Sequence, residues 1–136
     1  MKRAHWTAMA WTLLILGICW IPSNRLPIPE SPDYSIWKLK VPHADKIIHF
    51  GIFAIYTILW FRTNPSPRFR RSVVIFGLLL AVISEIGQSH PWVRRDPDIL
   101  DIAADVAGVL IVASCWSLVP KRWRGPSGTD PALAHL

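Results

Sequence analysis

The sequence predicts an all-α fold, an integral membrane bundle of four transmembrane helices, and three observations carry that prediction. Apolar residues make up 51% of the chain and gather in four blocks, roughly 6–21, 47–61, 73–86 and 99–119, where a soluble core of this size shows amphipathic periods instead. The segments between the blocks are charged or rich in proline, so each block reads as a separate element. Into the last block the chain carries Asp98, Asp101 and Asp105, three and four residues apart and therefore on one helical face. A charge costs about 2.5–3.5 kcal/mol at the centre of a membrane helix, so such acids need a reason to be there.

The first block follows Met1-Lys2-Arg3, as the hydrophobic region of a cleaved signal peptide does. Its exit, Cys19-Trp20-Ile21-Pro22, lacks a small-x-small cleavage site, and Ile18 before Cys19 suits lipoprotein processing poorly, so a retained helix over about 6–21 is expected. Pro22, Pro27, Pro29, Pro32 and Pro42 argue against a helix through 22–44. Within that connection 34–41 partly alternates, as a short strand or an interfacial stretch does. The second span, about 46–62, has Asp45 as its expected N-cap, Lys46 in its first turn and His49 a turn further in. A basic turn over 62–72 leads to the third span, about 72–88, where Glu85 and Gln88 share a face at the far end. Asp96 as N-cap and Pro97 at the first helical position open the fourth span, about 97–119. One domain over 1–119 is expected, followed by a disordered tail over 120–136. Cys19 and Cys115 lie in apolar spans, where a thiol acts as a small hydrophobe.

The formal charge of +6 raises nucleic acid as a partner, but the basic residues flank apolar blocks rather than lining a polar face, so no nucleic acid is expected. They read as topology signals. A cytoplasmic N-terminus puts Lys2, Arg3, Arg62, Arg68, Arg70, Arg71, Lys121, Arg122 and Arg124 inside, and Arg25, Lys38, Lys40, Lys46, Arg94 and Arg95 outside. Nine against six favours both termini in the cytoplasm. Trp6, Trp60 and Trp123 then fall at the inner interface, Trp20 and Trp92 at the outer one. Because direction alternates, the second helix starts, the third ends and the fourth starts on the outer side. Asp45, Lys46, His49, Glu85, Gln88, Arg94, Arg95, Asp98, Asp101 and Asp105 are thus expected at one face, with Asp105 roughly 12 Å along its helix from Pro97, the floor of a pocket.

Three blocks, Asp45-Lys46-Ile47-Ile48-His49-Phe50, Ser84-Glu85-Ile86-Gly87-Gln88, and Arg95 followed by Asp98, Asp101, Asp105 and Gly108, resemble the signature blocks of VanZ-like membrane proteins. The segment Pro22 to Pro27, with Ser23 and Leu26, is similar to that family's first loop, and the likeness covers roughly 10–115. The resemblance implies a small multi-pass protein of the bacterial plasma membrane, whose family founder is associated with low-level teicoplanin resistance. It implies no established biochemical activity. Two positions depart from the family's pattern: Gly87 stands where histidine is frequent, and Asp105 where asparagine is frequent. The second adds a charge that must be paired, protonated or hydrated.

The acids admit structural and functional readings. Asp96 and Asp98 suit capping of the fourth helix, whereas Asp101 and Asp105 lie too deep to cap. They either lock helices together through Lys46, Arg94 or Arg95, or belong to a ligand pocket formed by Lys46, His49, Glu85, Gln88, Arg95, Asp101 and Asp105. The leading expectation is a protein that binds an anionic lipid or lipid-linked wall precursor, the arginines and Lys46 holding its phosphate, and contributes to glycopeptide tolerance or envelope integrity. The alternative is a membrane-embedded hydrolase or transferase acting on a lipid phosphate or acyl linkage, with His49 or Glu85 as acid/base. A proton-coupled carrier finds little support in four spans without repeats. His49, Glu85, Asp101 and Asp105 suit a divalent ion chemically, but no two form a strong local motif, so no metal or other cofactor is expected. Gly108, Ala104, Ala107, Gly51 and Ala54 are expected to permit close helix packing.

Overall fold

The computed structural model describes residues 2–20, 44–91 and 98–124. Among these, every regular element is helical: α1 (Lys2–Trp20), α2 (Ala44–Phe61), α3 (Pro67–Gln88) and α4 (Ile99–Cys115), with short 3₁₀ turns at Trp116–Leu118 and Lys121–Trp123. The all-α expectation with four main helices is met. By length and composition, Ile99–Leu118 is the one stretch among the described residues apolar and long enough to cross a membrane. The other helices dilute their apolar runs at the ends, α1 with Lys2, Arg3 and His5, α2 with Asp45, Lys46 and His49, and α3 with Arg68, Arg70 and Arg71.

Several boundaries differ from the sequence reading. Asp45 is not the N-cap of α2 but sits in its first turn, because the helix already includes Ala44. The third helix starts at Pro67, five residues before the expected 72, since proline's fixed φ and missing N–H suit a first helical position. Arg68, Arg70 and Arg71, expected in the turn, therefore lie in the first turns of α3, and Arg62 stays in the turn. What remains of the turn is tight: Thr63 Oγ1 donates to the Trp60 carbonyl at 2.7 Å, and Asn64 Oδ1 accepts from the Ser66 N–H at 2.9 Å. Asp98, not Asp96, is the N-cap of α4, with extended backbone (φ −125°, ψ 112°) and its carboxylate on the Leu100 N–H. The beginning of the expected tail is also ordered by contacts, as Arg124 donates to the carbonyls of Ser117 and Val119. The 22–43 loop, Trp92, Arg94, Arg95, Asp96 and residues 125–136 lie outside the described residues.

α2 and α4 form the most extensive pair. Gly108 explains why: a Cβ there would stand 2.4 Å from the Phe50 carbonyl oxygen and 3.0 Å from the Ala54 nitrogen, so the two backbones meet directly. Gly77 lets α3 approach Tyr56 and Val109, where an added Cβ would lie 3.1 Å from each side chain. Gly51, expected to serve packing as well, faces no atom within 4 Å. α1 is tied to α2 by two indoles, Trp11 Nε1 donating to the Ile52 carbonyl and Trp60 Nε1 to Thr12 Oγ1, each at 3.0 Å. The core joins Ile15, Phe53, Tyr56, Phe61, Val73, Ala81, Val109 and Trp116. Phe61 and Trp116 meet edge to face at 5.2 Å, beneath the Arg70 guanidinium.

Polarity is distributed in an unusual way. Thr57, Ser84, Glu85, Gln88 and Asp105 are buried, while Ile47, Ile75, Phe76, Ile86, Ile99 and Ile111 are among many large apolar side chains more than half exposed. In water that arrangement is costly in both directions.

Candidate functional site

The start of α2, the end of α3 and the start of α4 converge at one end of the bundle, and each brings polar side chains. From α2 comes Lys46. Its ammonium donates to Asp45 at 2.8 Å, to Asp101 at 2.6 Å and to Asp98, so its three protons are directed to three carboxylates. Those three acids have the spacing of a metal site. The grouping is accounted for by the lysine, which supplies the positive charge that a metal ion otherwise brings. Lys46 also holds the Asp45 carboxyl below the usual carboxylate range. The sign follows directly: the Asp45–Lys46 pair contributes above the ordinary carboxylate pKa and is lost as pH falls through the lowered value.

One turn further along α2, His49 places Nδ1 3.0 Å from Asp105 Oδ1 and Nε2 3.9 Å from Asp101 Oδ2. Asp105 is 1% exposed, and the imidazole at hydrogen-bond distance is what makes its burial tolerable. The aspartate that departs from the VanZ-like pattern is therefore paired. Gly87 is buried in the last turn of α3.

Glu85 reaches this site through the backbone. Among the described residues its hydrogen-bond partner is the N–H of Asp98, which donates to Oε1 at 2.5 Å. A carboxylate from α3 thereby caps α4 from outside, at the positive end of the helix dipole. Asp98 connects the parts: its N–H meets Glu85, one carboxylate oxygen meets Leu100 and the other Lys46. Hydrogen bonds join Glu85, Asp98, Lys46 and Asp101, and the His49–Asp105 pair stands 3.9 Å from Asp101, so the six groups form one polar chain across three helices with one wider step. Gln88 is buried one turn beyond Glu85. Arg95, also expected here, lies outside the described residues.

Lys46 was expected to hold an anion. With three acids around it, that role is taken, and the described cluster carries five carboxyl groups against one lysine and one histidine. Its chemistry is that of an acceptor-rich surface, suited to hydroxyl or ammonium donors. The expectations of Asp98 as a cap and of Asp101 paired with Lys46 are both present in the geometry, while Asp105 pairs with His49 and Asp98 joins Lys46 as a further partner. Glu85 as a cross-helix cap was missed, since nothing local in sequence links it to a backbone amide 13 residues on. Compared with known protein families, with curated proteins and with solved structures, the chain finds no match.

Proposed function

We propose that this chain is a small multi-pass membrane protein of the VanZ-like type, four helices spanning the bacterial plasma membrane with both termini cytoplasmic. Its polar chain at the outer end of the bundle binds the head of a lipid or a lipid-linked wall precursor and so contributes to envelope integrity or teicoplanin tolerance. The observation that carries the membrane reading is the inverted polarity, with Asp105, Glu85 and Gln88 inside and isoleucine, leucine and phenylalanine outside. Hydrocarbon removes the penalty for exposed apolar side chains and raises the penalty for unpaired polar ones. The binding reading rests on the six linked groups at one end of α2, α3 and α4. Since Lys46 is spent on three acids, the cluster takes the hydroxyl or amino groups of a headgroup, and a phosphate falls to Arg94 and Arg95, which precede α4 in the chain.

The test is native mass spectrometry of protein released from membranes in gentle detergent, wild type against a Glu85→Gln, Asp101→Asn double variant. A retained phospholipid or polyprenyl phosphate that the folded variant lacks supports binding. An empty wild type beside an unfolded variant assigns the acids to holding the helices together.

One observation favours a second reading, a hydrolase or transferase acting on a lipid phosphate or acyl linkage. Asp105 engages Nδ1 of His49 and leaves Nε2 beyond hydrogen-bond distance of Asp101, the orientation in which a carboxylate readies an imidazole as general base. His49→Gln separates an enzyme from a helix-locking pair: an enzyme loses turnover and still accumulates, whereas a helix-locking pair loses accumulation.

A further inference from the structure

A second feature lies away from the polar chain, between α1, α2 and α3. It is a groove of about 490 Å³ whose lining includes Thr12 of α1, Tyr56 and Trp60 of α2, and Phe76 and Ile83 of α3. That volume falls within the range of small-molecule sites, roughly 300–1,000 Å³. Its polar side chains turn their protons elsewhere. Trp60 donates to Thr12, Thr12 to the Ala8 carbonyl, Tyr56 to the Val73 carbonyl and Ser72 to the Arg68 carbonyl. The groove therefore presents hydrocarbon to whatever enters it.

The α3 wall has a direction. From Phe69 to Ile83 it rises about 21 Å, two thirds of a hydrocarbon core of about 30 Å. One turn before Ser72, on the same edge of the helix, stands Arg68, with Arg71 also in this first part of α3, and both side chains are exposed. Arg70 is not available in the same way, since its guanidinium lies 5.6 Å from the ring centres of both Phe61 and Trp116. The groove is apolar along its length, and Arg68 and Arg71 stand in the first turns of α3 next to Phe69 and Ser72 at one end of its lining.

We infer that this groove seats one acyl chain of an anionic phospholipid, with the phosphate held at Arg68 and Arg71. The inference rests on the membrane reading above and is independent of the polar chain. An acyl tail satisfies a wall without free donors, and the two arginines select a negative headgroup at the level of the α2–α3 turn.

The test uses the full chain in non-ionic detergent, offered equal amounts of phosphatidylglycerol and phosphatidylcholine with the same acyl chains, and reads the adducts by native mass spectrometry. One phosphatidylglycerol is expected to be held in preference, the preference falling roughly five-fold for each of Arg68→Gln and Arg71→Gln. Leu79→Trp, at an exposed position lining the groove, fills it and is expected to lower both adducts. The Glu85→Gln, Asp101→Asn variant is expected to keep the phosphatidylglycerol. Equal binding of the two lipids, or an unchanged preference in the arginine variants, overturns the assignment while leaving the membrane reading intact. Loss of the added phosphatidylglycerol in the Glu85, Asp101 variant also overturns it, by moving that lipid to the polar chain, whereas loss of a co-purified lipid alone bears only on the polar chain. A chain that stays folded in buffer without detergent overturns both readings together.

Discussion

At the scale of single residues, the pairing of Lys46 and Asp105 makes two predictions of opposite character. Lys46→Met leaves Asp98 and Asp101 facing one another without the ammonium between them, and loss of a charged hydrogen bond costs roughly 1.5–3 kcal/mol. A lower melting temperature in detergent checks it, with the effect towards the lower figure because the Asp98 side chain is 41% exposed and screened. Asp105→Asn keeps the shape and an acceptor oxygen for His49 Nδ1, so accumulation is expected to match wild type. Asp105→Leu removes every acceptor from that imidazole nitrogen and is expected to lower accumulation clearly on immunoblots. The spacing of Asp98, Asp101 and Asp105 made their common face readable from the sequence, because helical periodicity alone decides it. Glu85 was readable as a member of the cluster but not as a cap, since its partner is a backbone amide, and a backbone amide has no letter of its own in a sequence.

At the scale of elements, two glycines separate close approach from mere presence. Gly108→Ala forces α4 away from the α2 backbone and is expected to cost about 1–3 kcal/mol, as overpacking does, read as a lower melting temperature or lost accumulation. Gly51→Ala meets no atom within 4 Å and replaces a poor helix former, so it is expected to leave stability unchanged or raise it by up to about 1 kcal/mol. Sequence reading placed both glycines in helices and assigned both to packing, because small size is visible in a sequence while the direction in which a position points within the bundle is not. The four helices were legible from apolar blocks and proline breaks. The start of α3 was misplaced because Arg68, Arg70 and Arg71 read as a polar turn, although Pro67 before them favours helix initiation.

At the scale of the whole molecule, the proposed four spans put the α2–α3 turn and the end of α3 on opposite sides of the membrane. With Cys19 and Cys115 replaced by serine, a cysteine at Ser89 is expected to react with an impermeant maleimide on intact spheroplasts, and one at Asn64 only after lysis. Reaction of both on intact cells contradicts the topology. The Lys46 arrangement also bears on how such a bundle is assembled. Lys46 precedes Asp98 by 52 residues, so synthesis at about 5–20 residues per second leaves the lysine with Asp45 alone for roughly 3–10 s. During that interval α2 carries a cation that its own sequence only half answers. The other two carboxylates arrive only with the start of α4, so the three-acid cage around Lys46 cannot close until the last helix has begun to emerge.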